Sequence, residues 1–289
     1  MFKAISSQLL RSFCLASVLL IATGCDSQKA WPDMPLMFGQ FEPQHDLLLV
    51  QFDSKTDVDD IHSVAAVATM LLHPDFAQVK YHAVAGAYGI QDGKYVPAPE
   101  LFKLAFANHY SDAHADRNQA LAEVLSLVTA TLQQGGDIWI AEAGQSDFSA
   151  AMIKALLRQN PNIATQQRVH IVQHSDWNQD STSTDALAYV KTHSDYHKIA
   201  DGNAVNNGTA GYKSDASADW TRALANKNVG DLWQTAKQIA DQYNGQDGRY
   251  NNESIGNGGF DFSDAAEMTW IFAVEDVPDV STFFDKFLL

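Results

Sequence analysis

The sequence predicts an α/β fold: a single domain, doubly wound, with a mostly parallel sheet flanked by helices. Short apolar runs alternate with helix-length segments, and neither a repeat nor a linker interrupts 45–289. Unbroken apolar runs suit parallel strands covered on both faces. Parallel pairing in turn requires long crossovers, most often helices.

The elements follow in order. Residues 25–44, with Pro32, Pro35 and Pro43, read as a tether. "LLLVQF" (47–52) is the first strand. After it Ile61, Val64, Ala65, Ala68, Leu71 and Leu72 recur at helical spacing, and His73-Pro74 ends that helix. A second strand is expected in 79–89 and helices near 99–108 and 117–133. A strand (137–144), a helix (149–159) and a strand (168–175) come next. Beyond them, 200–214 and 243–264 are dense in Asn, Gly and Asp. Long ordered loops in a compact domain are often functional. Trp220, Trp233, Tyr243 and Tyr250 flank these loops, either pinning them to the core or offering flat faces to a carbohydrate.

The first 24 residues read as a secretory signal. Lys3 and Arg11 precede the apolar run "FCLASVLLIATGC", too short for a stable span. "IATGC" resembles the bacterial lipobox, which implies cleavage before Cys25 and a lipid on that residue. Asp26 resembles the inner-membrane retention signal of enteric bacteria. The expected location is therefore the bacterial cell envelope, lipid-anchored and facing the periplasm. Formal charge is −16, and loss of Lys3 and Arg11 takes it from 19 − 35 to 17 − 35, or −18. So acidic a surface argues against nucleic acid and against adhesion to anionic head groups, leaving the lipid as the membrane contact. Homo-oligomers are compatible with it.

"FDSKTDVDDIHS" (52–63) concentrates Asp53, Asp57, Asp59 and Asp60 around Lys55, at the end of the first strand, where doubly wound folds place their ligand crevice. Helix capping accounts for Asp57, and the helix dipole for Asp59 and Asp60. Neither accounts for Asp53. Clustered carboxylates raise one another's pKa unless a cation compensates, and an oxygen-ligated ion such as calcium suits them. An EF-hand does not fit, because Lys55 holds the third loop position, Val58 the sixth and Val64 the twelfth. Elsewhere His170 and His174 stand four apart on a strand without an evident third ligand, which argues against zinc. "GQSDF" lacks the second glycine of a nucleophile elbow. No glycine-rich phosphate loop follows the first strand.

The stretch resembles the D-x-D-P-G-x-D-D signature of the inosine-uridine-preferring nucleoside hydrolase superfamily. Asp53 matches the first aspartate, Asp59 the base that activates water, and Asp60 a calcium ligand. Lys55 stands where the second aspartate is expected, and Thr56-Asp57 replace Pro-Gly. "EAGQSDFSAAMIKAL" resembles a later family segment, with Ser146 matching a residue whose carbonyl reaches calcium. "VHIVQHSDWN" resembles the next core strand and gives Asn178 a sugar-contacting role. "FDFSDAAEMTWIF" resembles the late His-Asp segment, with Asp264 as final calcium ligand and Ser263 in place of the histidine. The resemblance spans most of 45–275.

It implies calcium bound by Asp53, Asp60, Ser146 and Asp264, Asp59 as catalytic base, and Lys55, Asp57, His174 and Asn178 facing the substrate. The implied activity is hydrolysis of N-glycosidic or glycosidic bonds in a small nucleoside or sugar. The alternative is a non-catalytic sugar- or nucleoside-binding lipoprotein in which Lys55 replaces the metal. A third, a metal-free structural envelope protein, predicts disordered Asn/Gly loops.

Overall fold

The computed structural model describes residues 36–289. The signal segment, Cys25 and Asp26 lie outside the described residues. Among the described residues, no helix is long and apolar enough to cross a membrane.

The fold is a doubly wound α/β domain. Strands β1 (Leu47–Phe52), β2 (Lys80–Ala85), β3 (Tyr110–Asp112), β4 (Ile138–Ala143), β5 (Val169–His174) and β6 (Asp195–Ile199) form one sheet in the order β3-β2-β1-β4-β5-β6. Every pairing in it is parallel. A separate two-residue ribbon pairs β7 (Lys213–Ser214) antiparallel to β8 (Phe260–Asp261).

Successive strand side chains alternate between faces. Leu48, Val50 and Phe52 of β1 therefore join one core, while Leu47 and Leu49 join the other. The first core takes α1 (Asp59–Leu71), α2 (Pro99–Phe106), α8 (Asp219–Ala225), α9 (Gly230–Tyr243), α11 (Ala266–Ile271) and α12 (Val280–Phe287). The second takes α3 (Arg117–Gln133), α4 (Asp147–Gln159) and α7 (Thr184–His193). Short helices α5 (Thr165–Arg168), α6 (Asp176–Ser181) and α10 (Glu253–Gly256) complete the set, with Ile255 of α10 in the first core. Trp220 and Trp233 belong to the first core, where Trp220 stacks on Phe260 at 4.2 Å. Trp233 is fully buried and donates to Thr69 Oγ1 at 3.0 Å, joining α9 to α1. Burying a ring of this size contributes roughly 1.5–3 kcal/mol.

Two differences from the sequence expectation have simple causes. Residues 36–44 are not merely a tether: Phe41 is fully buried, and the Phe38 and Phe41 rings lie 5.4 and 5.1 Å from Phe272. β6, "DYHKI", escapes an apolar-run criterion because it pairs on one side only and keeps polar side chains toward solvent. The strand order reverses between β1 and β4, and their carboxyl ends open the crevice expected at such a switch point.

Candidate functional site

β1 delivers Asp53 to the crevice, and the chain turns through Ser54 at φ 50° before α1 begins. Non-glycine residues adopt positive φ rarely, and such strain concentrates at ligand sites. The expected Asp57 cap is not formed. Val58 is the residue before the helix, and Asp57 Oδ1 accepts from the Val58 N–H at 2.5 Å. Asp59 Oδ1 likewise accepts from the Asp60 N–H at 2.9 Å, and Asp60 Oδ2 from the Ser54 N–H at 2.5 Å. Each contact leaves a second carboxylate oxygen free of the backbone, at the positive end of a helix.

Asp264 comes from the turn Ser263–Ala265, which packs against α1. Its Oδ2 accepts from Ser63 Oγ at 3.2 Å, one helical turn beyond Asp59 and Asp60, and its Oδ1 faces His174 Nε2 at 3.2 Å. Donor oxygens of Asp59, Asp60 and Asp264 lie within 4.8 Å of one another. Asp53 borders the group. Its Oδ1 accepts from the Lys55 N–H at 2.8 Å, and Gly144 presses against its carboxylate. A Cβ on Gly144, at φ +103°, would lie 2.4 Å from Asp53 Oδ2, so only glycine fits.

These residues fit a hard dication. The donors are all carboxylate oxygens, and buried Asp60 Oδ1 has no hydrogen-bond partner among the described residues. Burial, with Asp264 adding repulsion, pushes Asp53 up to about 7. Burial and then the surrounding carboxylates hold Asp59 and Asp60 well above the usual range. A cation would relieve this repulsion.

The remaining expected site residues divide. Lys55 lines the crevice, but its ammonium lies 4.3 Å from the Tyr88 ring centre rather than among the aspartates. Asp57 lines the crevice and accepts from Asn252 Nδ2 at 3.3 Å; burial and then Asp261 push it up to about 7. Asn178 lines it too, with Nδ2 donating to the His174 carbonyl at 3.2 Å. Ser146 is not brought to the carboxylates. It is fully buried, its Oγ donates to Glu142 Oε2 at 2.5 Å, and its carbonyl accepts from the Ala150 N–H in the first turn of α4. Gly144 lines the crevice at this strand end.

His174 ends β5 inside the site. The Gly202 N–H points to Nδ1 at 2.9 Å, a geometry that leaves Nε2–H for Asp264. Burial opposes a positive charge on the ring, but Glu267, Asp201 and Asp264 outweigh it and hold His174 well above its ordinary value. Gaining the second proton would exchange the Gly202 contact for Asp201 Oδ1, 3.6 Å from Nδ1.

Of the further contributors, the sequence names only Tyr250, as an aromatic flanking the late loops. Lys213 Nζ pairs with buried Asp261 Oδ2 at 3.0 Å, and Asn252 Nδ2 donates to the same oxygen at 2.7 Å. Trp177 and Tyr250, 68% and 58% exposed, stand on the crevice wall. The Asn/Gly-rich composition of 243–264 is the signal that points to Asn252 and Tyr250, whereas nothing local singles out Lys213. The crevice encloses about 830 Å³, within the range of small-molecule sites. No known protein family, curated protein or solved structure matches the chain.

Proposed function

We propose that this chain is a nucleoside-hydrolase-like enzyme that cleaves N-glycosidic or glycosidic bonds at a calcium site. One observation carries the reading: carboxylates from positions 59, 60 and 264 converge at the sheet's switch point, with Asp60 Oδ1 unpartnered among the described residues. Asp60 and Asp264, bordered by Asp53, are the ligands we assign. Calcium bound there supplies polarisation of a water and of vicinal sugar hydroxyls.

Asp59 is the base. Its second oxygen is free of the backbone, and beside a bound cation it would be an ionised carboxylate able to accept a proton from water. Trp177 and Tyr250 supply flat apolar faces for a sugar or base ring. His174 and Asn178 bound the same space and present polar groups to the sugar. We further assign the chain, on its sequence alone, to the periplasmic side of the envelope, anchored by lipid on Cys25 and held at the inner membrane by Asp26.

A second reading is favoured by the positive groups beside the carboxylates. With His174 against Asp264 and Lys213 against Asp261, the crevice carries counter-charge of its own and suits a sugar- or nucleoside-binding protein without turnover. Lys55, on Tyr88, is not that counter-charge.

Calcium calorimetry on the chelator-treated chain separates the two. The enzyme reading expects one calcium bound by the native protein and none by Asp60→Asn. It also expects free base or reducing sugar to be released from nucleosides or glycosides only with calcium present. No calcium heat, or turnover unchanged in Asp60→Asn, would overturn it.

A further inference from the structure

The opposite end of β5 holds a second group of ligand-bearing side chains, built by strand register. β5 and β6 pair with His170 opposite Asp195 and Val172 opposite His197. Residues two apart on a strand share a face, so His170, Asp195 and His197 project together on one side of the sheet. His170 Nδ1 and His197 Nε2 each lie 2.8 Å from the same atom, Asp195 Oδ2. The three donors fall within 4.8 Å of one another. Trp139 stacks on the His170 ring at 4.1 Å, and Trp270 lies 5.1 Å from the His197 ring, so both imidazoles are held. On its other edge His170 Nε2 faces Asp137 Oδ2 at 3.5 Å, without a hydrogen bond among the described residues.

We propose that His170 Nδ1, Asp195 Oδ2 and His197 Nε2 form a binding site for a divalent transition-metal ion of the zinc type, separate from the carboxylate crevice. The donor set decides the class. Two imidazole nitrogens with one carboxylate suit zinc, cobalt or nickel, whereas the all-oxygen crevice suits calcium. Zinc–ligand bonds of about 2.0–2.1 Å place tetrahedral donors roughly 3.3 Å apart. The 2.8 Å separations here need to open by only about half an ångström.

The proton inventory points the same way. With Nε2–H turned to Asp137, as the imidazole of a metal–His–carboxylate arrangement is, Nδ1 presents its lone pair to Asp195 Oδ2. With Nδ1–H turned to Asp195 instead, the Nε2 lone pair faces the Asp137 carboxylate. Either neutral tautomer leaves one repulsive contact, and a cation on the Asp195 side removes it. Arg168, at 2.7 Å from Asp137 Oδ1, already serves the other carboxylate. His197 and Asp195 remain about one-third exposed, so an ion can reach the site from solvent. Three protein donors leave a fourth position for water, and the ion would tie edge strand β6 to β5.

Cobalt(II) titration of the untagged, chelator-treated chain tests this, because tetrahedral cobalt on nitrogen ligands absorbs visibly. The expected result is one equivalent bound with a visible band that zinc displaces. The band should survive Asp60→Asn and weaken at least tenfold in affinity in His197→Gln and in Asp137→Asn. His197→Gln keeps a hydrogen-bonding side chain at a part-exposed position, and its metal-free melting curve serves as the folding control. No band in the native chain, or unchanged affinity in a folded His197→Gln, would overturn the proposal.

Discussion

Gly144 approaches Asp53 so closely that a single added methyl group would lie 2.4 Å from the carboxylate. The end of β4 thereby fixes the side chain that leaves β1, across the point where the strand order reverses. Gly144→Ala would impose both this clash and a left-handed φ of +103° on a residue with a Cβ. The expected loss is about 1–3 kcal/mol in urea unfolding, together with weaker calcium binding as Asp53 is displaced. Native stability in this variant would show that the strand end yields freely.

Asp59→Asn should separate chemistry from folding. The amide keeps an oxygen for the Asp60 N–H but does not serve as a base at neutral pH. Turnover should fall by about 10²–10⁴-fold, with an unchanged circular dichroism spectrum. Activity within tenfold of the native enzyme would remove Asp59 from the role of base.

Lys55→Met should do little. The ammonium rests on the Tyr88 ring, a part-exposed contact worth about 0.5–1 kcal/mol. Calcium affinity within about twofold of native follows from its position outside the carboxylate group, with ordinary surface charges worth little at this range. A large gain in calcium affinity would instead show that the lysine competes with the ion.

His82 predicts an acid-sensitive stability unrelated to the crevice. Its ring contacts Ser111 Oγ at 2.8 Å, and that hydroxyl donates to Glu123 Oε2 at 2.6 Å. Burial, outweighing the attraction of Glu123, lowers His82 from 6.5 to about 4. The unfolded chain therefore binds a proton near 6.5 that the folded chain refuses until about 4. This contribution is intact above 6.5 and is lost as pH falls toward 4, by at most about 1.4 kcal/mol per unit. Thermal melts from pH 7.5 to 4.5 should show a shallower decline in His82→Gln, and identical slopes would exclude His82 as the cause.

How much of this the sequence reveals depends on where each residue's partners sit. Asp53, Asp59 and Asp60 are legible because a strand end and a helix start bring them together locally. Asp264 is visible only through its resemblance to a family motif. Composition marks the loop that carries Asn252 and Asp261 but not their roles, and nothing marks Lys213, because the bonds that define all three join separate segments through space. Lys55 misleads for the converse reason: it neighbours the aspartates in sequence, yet a long side chain reaches an aromatic ring on another loop. The aromatic residues around the late loops also divide by burial, Trp220 and Trp233 inward and Tyr250 toward the crevice. His170 looks like half of an incomplete pair until register sets Asp195 and His197 beside it.

The contact between Ser63 and Asp264 spans 201 positions. The last strand of the main sheet ends at Ile199, well before Asp264 in the chain. In chain order every strand of the main sheet therefore precedes both Asp264 and the helices α8, α9, α11 and α12 that cover one of its faces. Contacts of such long range form late and slowly. The cation site consequently reports on completion of the molecule: a chain cut short before residue 264 would carry the sequence of every main-sheet strand but lack Asp264 and the helices α11 and α12 that pack on the sheet.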